Sequence, residues 1–203
     1  MPRTRIKICG VRTREVLEAA VESGCDVMGF VVDVPSSPRT LDIESAAALA
    51  RMLPRRVLPV AVMRNPTIEL VRAWPETWVQ LHGDEDGAFI EQAAATKHVI
   101  KGFGFDPDAV GRFNGDPHVE MLLIDGPAGG GGTAFDHAAL AEMMPRLVKP
   151  ILIAGGLTAA NVAEIILTLQ PFAVDVSSGV ETSPGEKSPE LIRGFCEAVR
   201  RED

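Results

Sequence analysis

The sequence predicts a single (β/α)8, or TIM, barrel, and three observations predict it: eight short β-branched runs, an amphipathic segment after each, and a length that suits one core. At 203 residues the chain is long enough for one substantial domain. Short buried runs alternating with longer amphipathic segments are the pattern of βα units, in which helices cover a parallel sheet. No linker, low-complexity tract or charge run divides the chain, so residues 1–203 are read as one catalytic domain. A barrel typically has about 250 residues, which makes this a trimmed example. The competing architecture, a doubly wound open sheet, usually carries a glycine fingerprint after its first strand. Here that position reads Cys9-Gly10-Val11-Arg12.

The elements follow in order. The first strand is read at Ile6 to Cys9, then a helix from Thr13 to Ser23, with Thr13 as N-cap and Gly24 supplying the left-handed residue that ends it. Strands two to four are Val27 to Val32, Val57 to Met63 and Trp78 to Leu81. The helices after them are Ile43 to Leu53, Thr67 to Ala73 and Glu85 to Thr96. Strands five to eight are Val99 to Phe103, Met121 to Ile124, Ile151 to Ala154 and Ala173 to Val176. Their helices are Pro107 to Phe113, Phe135 to Met144, Ala160 to Leu169 and Pro189 to Arg200. The third and fifth helices are short and sit against Pro75, or between Pro107 and Asn114-Gly115, so irregular turns are the alternative there.

Composition excludes several function classes. With 28 acidic and 20 basic side chains the net charge is -8, and no basic tract offers the footprint of a nucleic-acid binder. No run approaches the roughly 18 apolar residues of a membrane span, and Met1 to Arg5 lead into a strand instead of a signal-peptide core, so a cytoplasmic protein is expected. Cys9, Cys25 and Cys196 are odd in number and lack Cys-x-x-Cys spacing, which argues against a disulfide framework or structural zinc. Cys25 and Cys196 have apolar neighbours and read as small buried hydrophobes. His98, His118 and His137 show no ligand spacing, and no metal is expected.

In such barrels the reacting groups stand at the C-terminal ends of the strands. Ala154-Gly155-Gly156-Leu157 and Val176-Ser177-Ser178-Gly179-Val180-Glu181 end the seventh and eighth strands, and backbone amides bared by small residues at those two loops suit a phosphate monoester. Gly155, Gly156, Ser178 and Gly179 are therefore phosphate-site candidates. The run Gly129 to Thr133 lacks the Gly-Lys-Ser/Thr ending of a nucleotide-binding loop and reads as a cover over a ligand, or as a plain connector.

Cys9 and Asp125 end the first and sixth strands, where they face each other across the barrel mouth as a base and an acid. A thiolate removes a proton from carbon and a carboxylic acid protonates a departing oxygen, once burial or neighbouring charge moves each pKa toward neutrality. Lys7 lies two residues before Cys9 on the same strand face, where its charge supports a thiolate and it borders the substrate. Arg39, on the proline-stiffened loop Ser37-Pro38-Arg39, suits bidentate capture of a carboxylate. His82, in Gln80-Leu81-His82-Gly83, is a further lining candidate. Taken singly, Cys9 reads equally as core, Asp125 as a cap, Arg39 as a surface residue and His82 as a structural histidine.

Together, Lys7-Ile8-Cys9-Gly10, Met28-Gly29-Phe30, Ser37-Pro38-Arg39, Val79-Gln80-Leu81-His82-Gly83, Asp125, Gly129 to Gly132 through Phe135-Asp136, Ala154-Gly155-Gly156-Leu157, Asn161-Val162 and Val174 to Glu181 resemble the phosphoribosylanthranilate isomerase family of tryptophan biosynthesis. The resemblance implies a cofactor-free Amadori rearrangement of N-(5-phosphoribosyl)anthranilate to 1-(2-carboxyphenylamino)-1-deoxyribulose 5-phosphate. It implies Asp125 as general acid, Cys9 as general base, Arg39 on the anthranilate carboxylate, and the amides of Gly156, Ser178 and Gly179 on the phosphate. A small phosphorylated substrate is the expected partner, with the protein a monomer or homodimer. The sequence departs from the family pattern at Arg64, which takes the place of a hydrophobic residue after the third strand, at Gly131 in the glycine run, and at His137, where tryptophan is common. Two other readings are a histidine-pathway or dual-substrate sugar-phosphate isomerase, which would use a pair of aspartates, and a barrel that binds a phosphorylated metabolite without turning it over.

Overall fold

A computed structural model describes residues 3–126 and 137–202. The parallel barrel strands are β1 (Arg5–Cys9), β2 (Val27–Val32), β3 (Leu58–Met63), β4 (Trp78–Leu81), β5 (His98–Gly104), β6 (Met121–Asp125), β7 (Ile151–Ile153) and β8 (Ala173–Val176). Each pairs with its successor, and β8 pairs with β1, so the sheet closes on itself and leaves no barrel edge. The helices are α1 (Arg14–Glu22), α2 (Ile43–Ala50), α3 (Ile68–Ala73), α4 (Gly87–Ala94), α5 (Pro107–Gly115), α6 (His137–Met143), α7 (Val162–Leu169) and α8 (Pro189–Arg200). The expected alternation of eight strands and eight helices is thus the observed one.

Local chemistry explains most helix starts. Thr13, Asp42, Thr67, Asp86, Asp106 and Ser188 each accept a hydrogen bond from the amide three residues on, satisfying a donor the helix leaves unpaired. Each such cap contributes about 1 kcal/mol. Helix α1 ends at Gly24, whose φ of +85° is the left-handed backbone the sequence predicts there. Both segments for which turns were an alternative are helical: Thr67 caps α3, and α5 starts at Pro107 behind the Asp106 cap and continues through Asn114 to Gly115. Proline at the first turn is compatible with the helix because its missing N–H has no intrahelical partner.

Two short features have no counterpart in the sequence reading. Thr40–Leu41 adds a short parallel segment to β2, and Glu181–Ser183 pairs antiparallel with Glu186–Lys187 in a hairpin after β8. Strands of two or three residues are too short to show alternation, so the hydrophobic pattern cannot announce them. The glycine run Gly129 to Thr133, with Gly131, lies outside the described residues.

Strand alternation divides the side chains between two regions. One set, including Ile6, Ile8, Met28, Phe30, Leu122 and Ile124, packs against the helices. The alternate set fills the barrel: Val27, Val60, Ile100, Leu123, Leu152 and Ala173 form its apolar floor. Above that floor Lys7, Gln80 and Asp175 are buried polar residues, and two residues further along the same strands stand Cys9, His82 and Ser177, with Asp125 two beyond Leu123. The period of two therefore delivers the polar groups to one end of the barrel.

Candidate active site

At the end of β1 the Cys9 thiol is buried and packs with Val31 and Val62. Gly29 lies opposite it on β2, and a Cβ there would stand 3.0 Å from the sulfur and crowd the thiol. Lys7 Nζ donates to Asp175 Oδ2 at 2.8 Å, across the neighbouring positions of β1 and β8. Burial opposes the charge on Lys7, but the Asp175 carboxylate and the Cys9 sulfur outweigh it and raise its pKa, so it is an ammonium. Burial also raises the Cys9 pKa, and the nearby charges of Lys7 and Lys187 offset this only in part. Lys7 stands beside Cys9 as the strand spacing implies, and its charge lowers the thiol pKa while desolvation outweighs it.

Asp125 and His82 meet at the mouth of the barrel. His82 Nε2 stands 3.5 Å from Asp125 Oδ2, in electrostatic range and longer than a hydrogen bond. The Gln80 side-chain amide is 2.8 Å from His82 Nδ1 and holds the ring from below. Gly102 on β5 makes room for it, since a Cβ there would lie 2.3 Å from Nδ1. The loop after His82 is pinned by Glu85, whose carboxylate accepts from the amides of Asn65 and Gly83 and from Lys101 Nζ at 2.7 Å. Arg64, the departure just after β3, is exposed and precedes Asn65 of this knot.

The loops after β7 and β8 are built against each other. Gly155 and Gly156 take φ of +92° and +64°, and a Cβ on Gly155 would stand 2.2 Å from the Gly126 amide and 2.8 Å from Asp125 Oδ1. Glycine there lets this loop reach the acid residue. Asn161 braces the turn, donating to the Gly156 carbonyl at 3.0 Å and accepting from the Thr158 amide at 2.8 Å. Gly179 abuts Leu157, and the amides of Gly156, Ser178 and Gly179 donate to no acceptor among the described residues. Ser177 Oγ donates to the Cys9 carbonyl at 3.1 Å, tying this loop to β1.

Arg39 already holds a carboxylate. Its Nε and Nη2 donate to Glu181 Oε1 and Oε2 at 2.7 and 2.6 Å, and the stem packs on Gly10. Lys187 Nζ donates to Glu181 Oε1 at 3.0 Å and to the Ser177 carbonyl at 3.2 Å.

The model of the family described as N-(5'-phosphoribosyl)anthranilate isomerase matches residues 6–198. The chain belongs to that family. Among curated N-(5'-phosphoribosyl)anthranilate isomerases, the chain is 40% identical to that of Methylibium petroleiphilum, with 99% of this chain and 96% of the relative covered. It is likewise 40% identical to that of Streptococcus mutans, over 98% of this chain and all of the relative. The solved phosphoribosylanthranilate isomerase of Thermus thermophilus superposes with a TM-score of 0.87 at 31% identity, covering 98% and 100% of the two chains. Another isomerase structure, with a TM-score of 0.85, 32% identity and 98% and 99% covered, is a complex with reduced 1-(o-carboxyphenylamino)-1-deoxyribulose 5-phosphate. A further structure, at 32% identity, a TM-score of 0.84 and 98% and 99% covered, is of generated monomers of the dimeric isomerase from Thermotoga maritima. Among the described residues of this isomerase-family chain, no helix is long and apolar enough to cross a membrane.

Within this isomerase-family barrel the structure brings the sequence-derived residues to one end in two groups. Lys7, Cys9 and Arg39 lie toward Ser177 to Gly179, and His82 and Asp125 lie toward Gly155 and Gly156. Asp175 and Glu181, though within the eighth-strand motif, were given no role by the sequence, and neither was Lys187. Asp175 is signalled by being a carboxylate inside a buried strand; its Oδ1 is buried without a hydrogen-bond partner among the described residues. Glu181 and Lys187 carry no local signal, because their meeting with Arg39 depends on a hairpin.

Proposed function

We propose that the chain catalyses the Amadori rearrangement of N-(5-phosphoribosyl)anthranilate, with Asp125 as general acid and Cys9 as general base. The observation that carries this reading is their placement. Both are inward positions at the same end of β1 and β6, and amides that meet no acceptor among the described residues lie after β7 and β8.

Asp125 protonates the furanose ring oxygen as the bond from C1 to that oxygen breaks, leaving the C4 hydroxyl and a protonated Schiff base between C1 and the anthranilate nitrogen. Cys9 as thiolate removes the proton from C2, and the electron pair moves to the C1–C2 bond while the imine nitrogen becomes an amine. The resulting enolamine loses its C2 hydroxyl proton and gains one at C1, giving the ketone. The sum is an isomerisation with no external oxidant or reductant.

The burial that raises the Cys9 pKa opposes the thiolate, and the ammonium of Lys7 beside the sulfur favours it. The amides of Gly156, Ser178 and Gly179 hold the phosphate in this reading. Arg39 holds the anthranilate carboxylate, and Lys7 and His82 line the sugar's path. The small phosphorylated substrate is the partner the site is built for. A cytoplasmic location fits a biosynthetic enzyme of this kind, and a homodimer like that described for the Thermotoga relative is one assembly open to it.

The test follows loss of anthranilate-ribose phosphate by fluorescence with the purified protein and its Cys9→Ser and Asp125→Asn variants. Turnover by the parent, falling at least about a hundredfold in each variant, supports the assignment. No turnover by the parent, or full activity in both variants, overturns it.

A further inference from the structure

The Arg39 guanidinium is planar and presents two bidentate edges. Glu181 occupies the side edge, formed by Nε and Nη2, at 2.7 and 2.6 Å. The end edge, formed by Nη1 and the second N–H of Nη2, has the same fork geometry and offers two parallel donors.

Glu181 is built into the fold as a fixed anchor. Its side chain is only 4% exposed against 22% for Arg39, and its carboxylate accepts from Arg39, from Lys187 Nζ at 3.0 Å and from the Gly185 amide at 3.3 Å. Although burial opposes ionisation, the hydrogen bonds from Arg39 and Lys187 outweigh it and lower the Glu181 pKa. The hairpin itself is seated on the arginine's own loop. Gly185 has a φ of +87°, and a Cβ on it would stand 2.7 Å from the Pro38 carbonyl oxygen. Arg12 Nη1 donates to that same carbonyl at 3.0 Å. Below the guanidinium, the Arg39 stem lies on Gly10, whose Cβ would fall 2.6 Å from Arg39 Cδ. Both ends of the side chain are therefore fixed.

Around the Cys9 end of the barrel, Arg39, Lys187 and Lys7 are cations, and Glu181 and Asp175 are the carboxylates paired with them.

We propose that Glu181 is a positioning residue: it holds the side edge of the Arg39 guanidinium so that the end edge is presented, preformed, to the carboxylate of the substrate's aryl ring. This rests on the isomerase reading and adds to it the residue that sets its selectivity for a carboxylated aromatic amine. Without Glu181 the guanidinium is a long side chain among like charges, and binding must first restrict its rotamers.

The experiment compares Glu181→Gln with the parent on N-(5-phosphoribosyl)anthranilate and on N-(5-phosphoribosyl)aniline, which lacks the carboxylate. Product affinity is measured in parallel by fluorescence titration with 1-(2-carboxyphenylamino)-1-deoxyribulose 5-phosphate. The expected result is a KM for the carboxylated substrate and a product Kd each raised about tenfold, with kcat and the aniline substrate nearly unchanged; tenfold is about 1.4 kcal/mol. In an Arg39→Lys background, which keeps the charge and loses the second edge, Glu181→Gln should add little. Equal losses on both substrates, additive losses in the double variant, or an unchanged product Kd would overturn the proposal. A parent that binds product in this pattern but turns nothing over would instead sink the isomerase reading and leave the positioning role standing. Should Glu181→Gln fold poorly, Lys187→Gln, which removes one of the anchor's own donors, is read by the same titration. It should weaken product more than inorganic phosphate, and an equal effect on both counts against the proposal.

Discussion

Lys7 and Asp175 form a 2.8 Å ion pair inside the barrel, one layer beneath the Cys9 thiol and shielded from solvent. Each charge is stabilised chiefly by the other, so removing one partner leaves an uncompensated buried charge. Lys7→Met should lower the unfolding free energy by about 3–5 kcal/mol, and the Lys7→Met, Asp175→Leu double variant should recover much of that loss. Urea titrations of the two single variants and the double variant close the cycle. Additive losses would show that the pair is not the stabilising unit.

The contact between the two glycine loops makes a sharper kinetic prediction. A Cβ on Gly179 would stand 1.8 Å from the Leu157 carbonyl oxygen, and because the obstacle is backbone, the loops must part. Gly179→Ala should cost about 1–3 kcal/mol of stability from overpacking. It should also raise KM about tenfold, a change of about 1.4 kcal/mol, and weaken inhibition by inorganic phosphate in parallel. A normal KM in a folded Gly179→Ala protein would show that the two loops do not hold the phosphate jointly.

The barrel and the ends of its strands were readable because both depend on short-range pattern. Buried runs such as Val27–Val32, helix caps such as Thr13, and the period of two that puts Lys7 beneath Cys9 are all local. What escaped was set by partners distant in the chain. Arg39 was expected on a carboxylate, and Glu181, 142 residues away, is the one it holds here. The direction of the Cys9 pKa also escaped, because desolvation is a property of the closed barrel and not of the neighbouring residues. Asp175 could be placed on a strand, but only the register of β1 with β8 shows that it meets Lys7.

The charges facing Cys9 predict a pH effect. Lys7, Lys187, Arg39 and Asp175 are the groups that act on its sulfur; burial raises the thiol pKa first, and Lys7 and Lys187 lower it. With the Cys9 thiolate as the proposed base, kcat/KM should rise with pH through the Cys9 titration. Lys187→Met removes one of the charges that favour the thiolate, so that rising limb should move to higher pH, on a plateau lowered by the loss of a donor to Glu181. A limb that stays in place, or moves to lower pH, would mean that Cys9 is not the titrating base.

The two remaining thiols govern stability in alkali. Burial pushes Cys25 from 9.0 up to about 12, with the adjacent Cys196 adding to it, and pushes Cys196 from 9.0 up to about 11. In the unfolded chain both ionise near the ordinary thiol value, so above that pH the unfolded state holds fewer protons and is favoured. The stability they contribute is complete below about pH 9 and is lost as pH rises through 9 to about 11–12. Each unit of separation corresponds to about 1.4 kcal/mol, so Cys196 alone accounts for a loss on the order of 2–3 kcal/mol. The chain has no tyrosine, so phenol ionisation cannot produce the same fall. Melting temperatures taken between pH 8 and 11 should drop steeply in the parent and less steeply in Cys25→Ala and Cys196→Ala. Because one thiol contributes to the other's shift, the two effects on the slope should not add. A double variant whose melting temperature falls as steeply as the parent's would place the alkaline loss on the buried lysines instead.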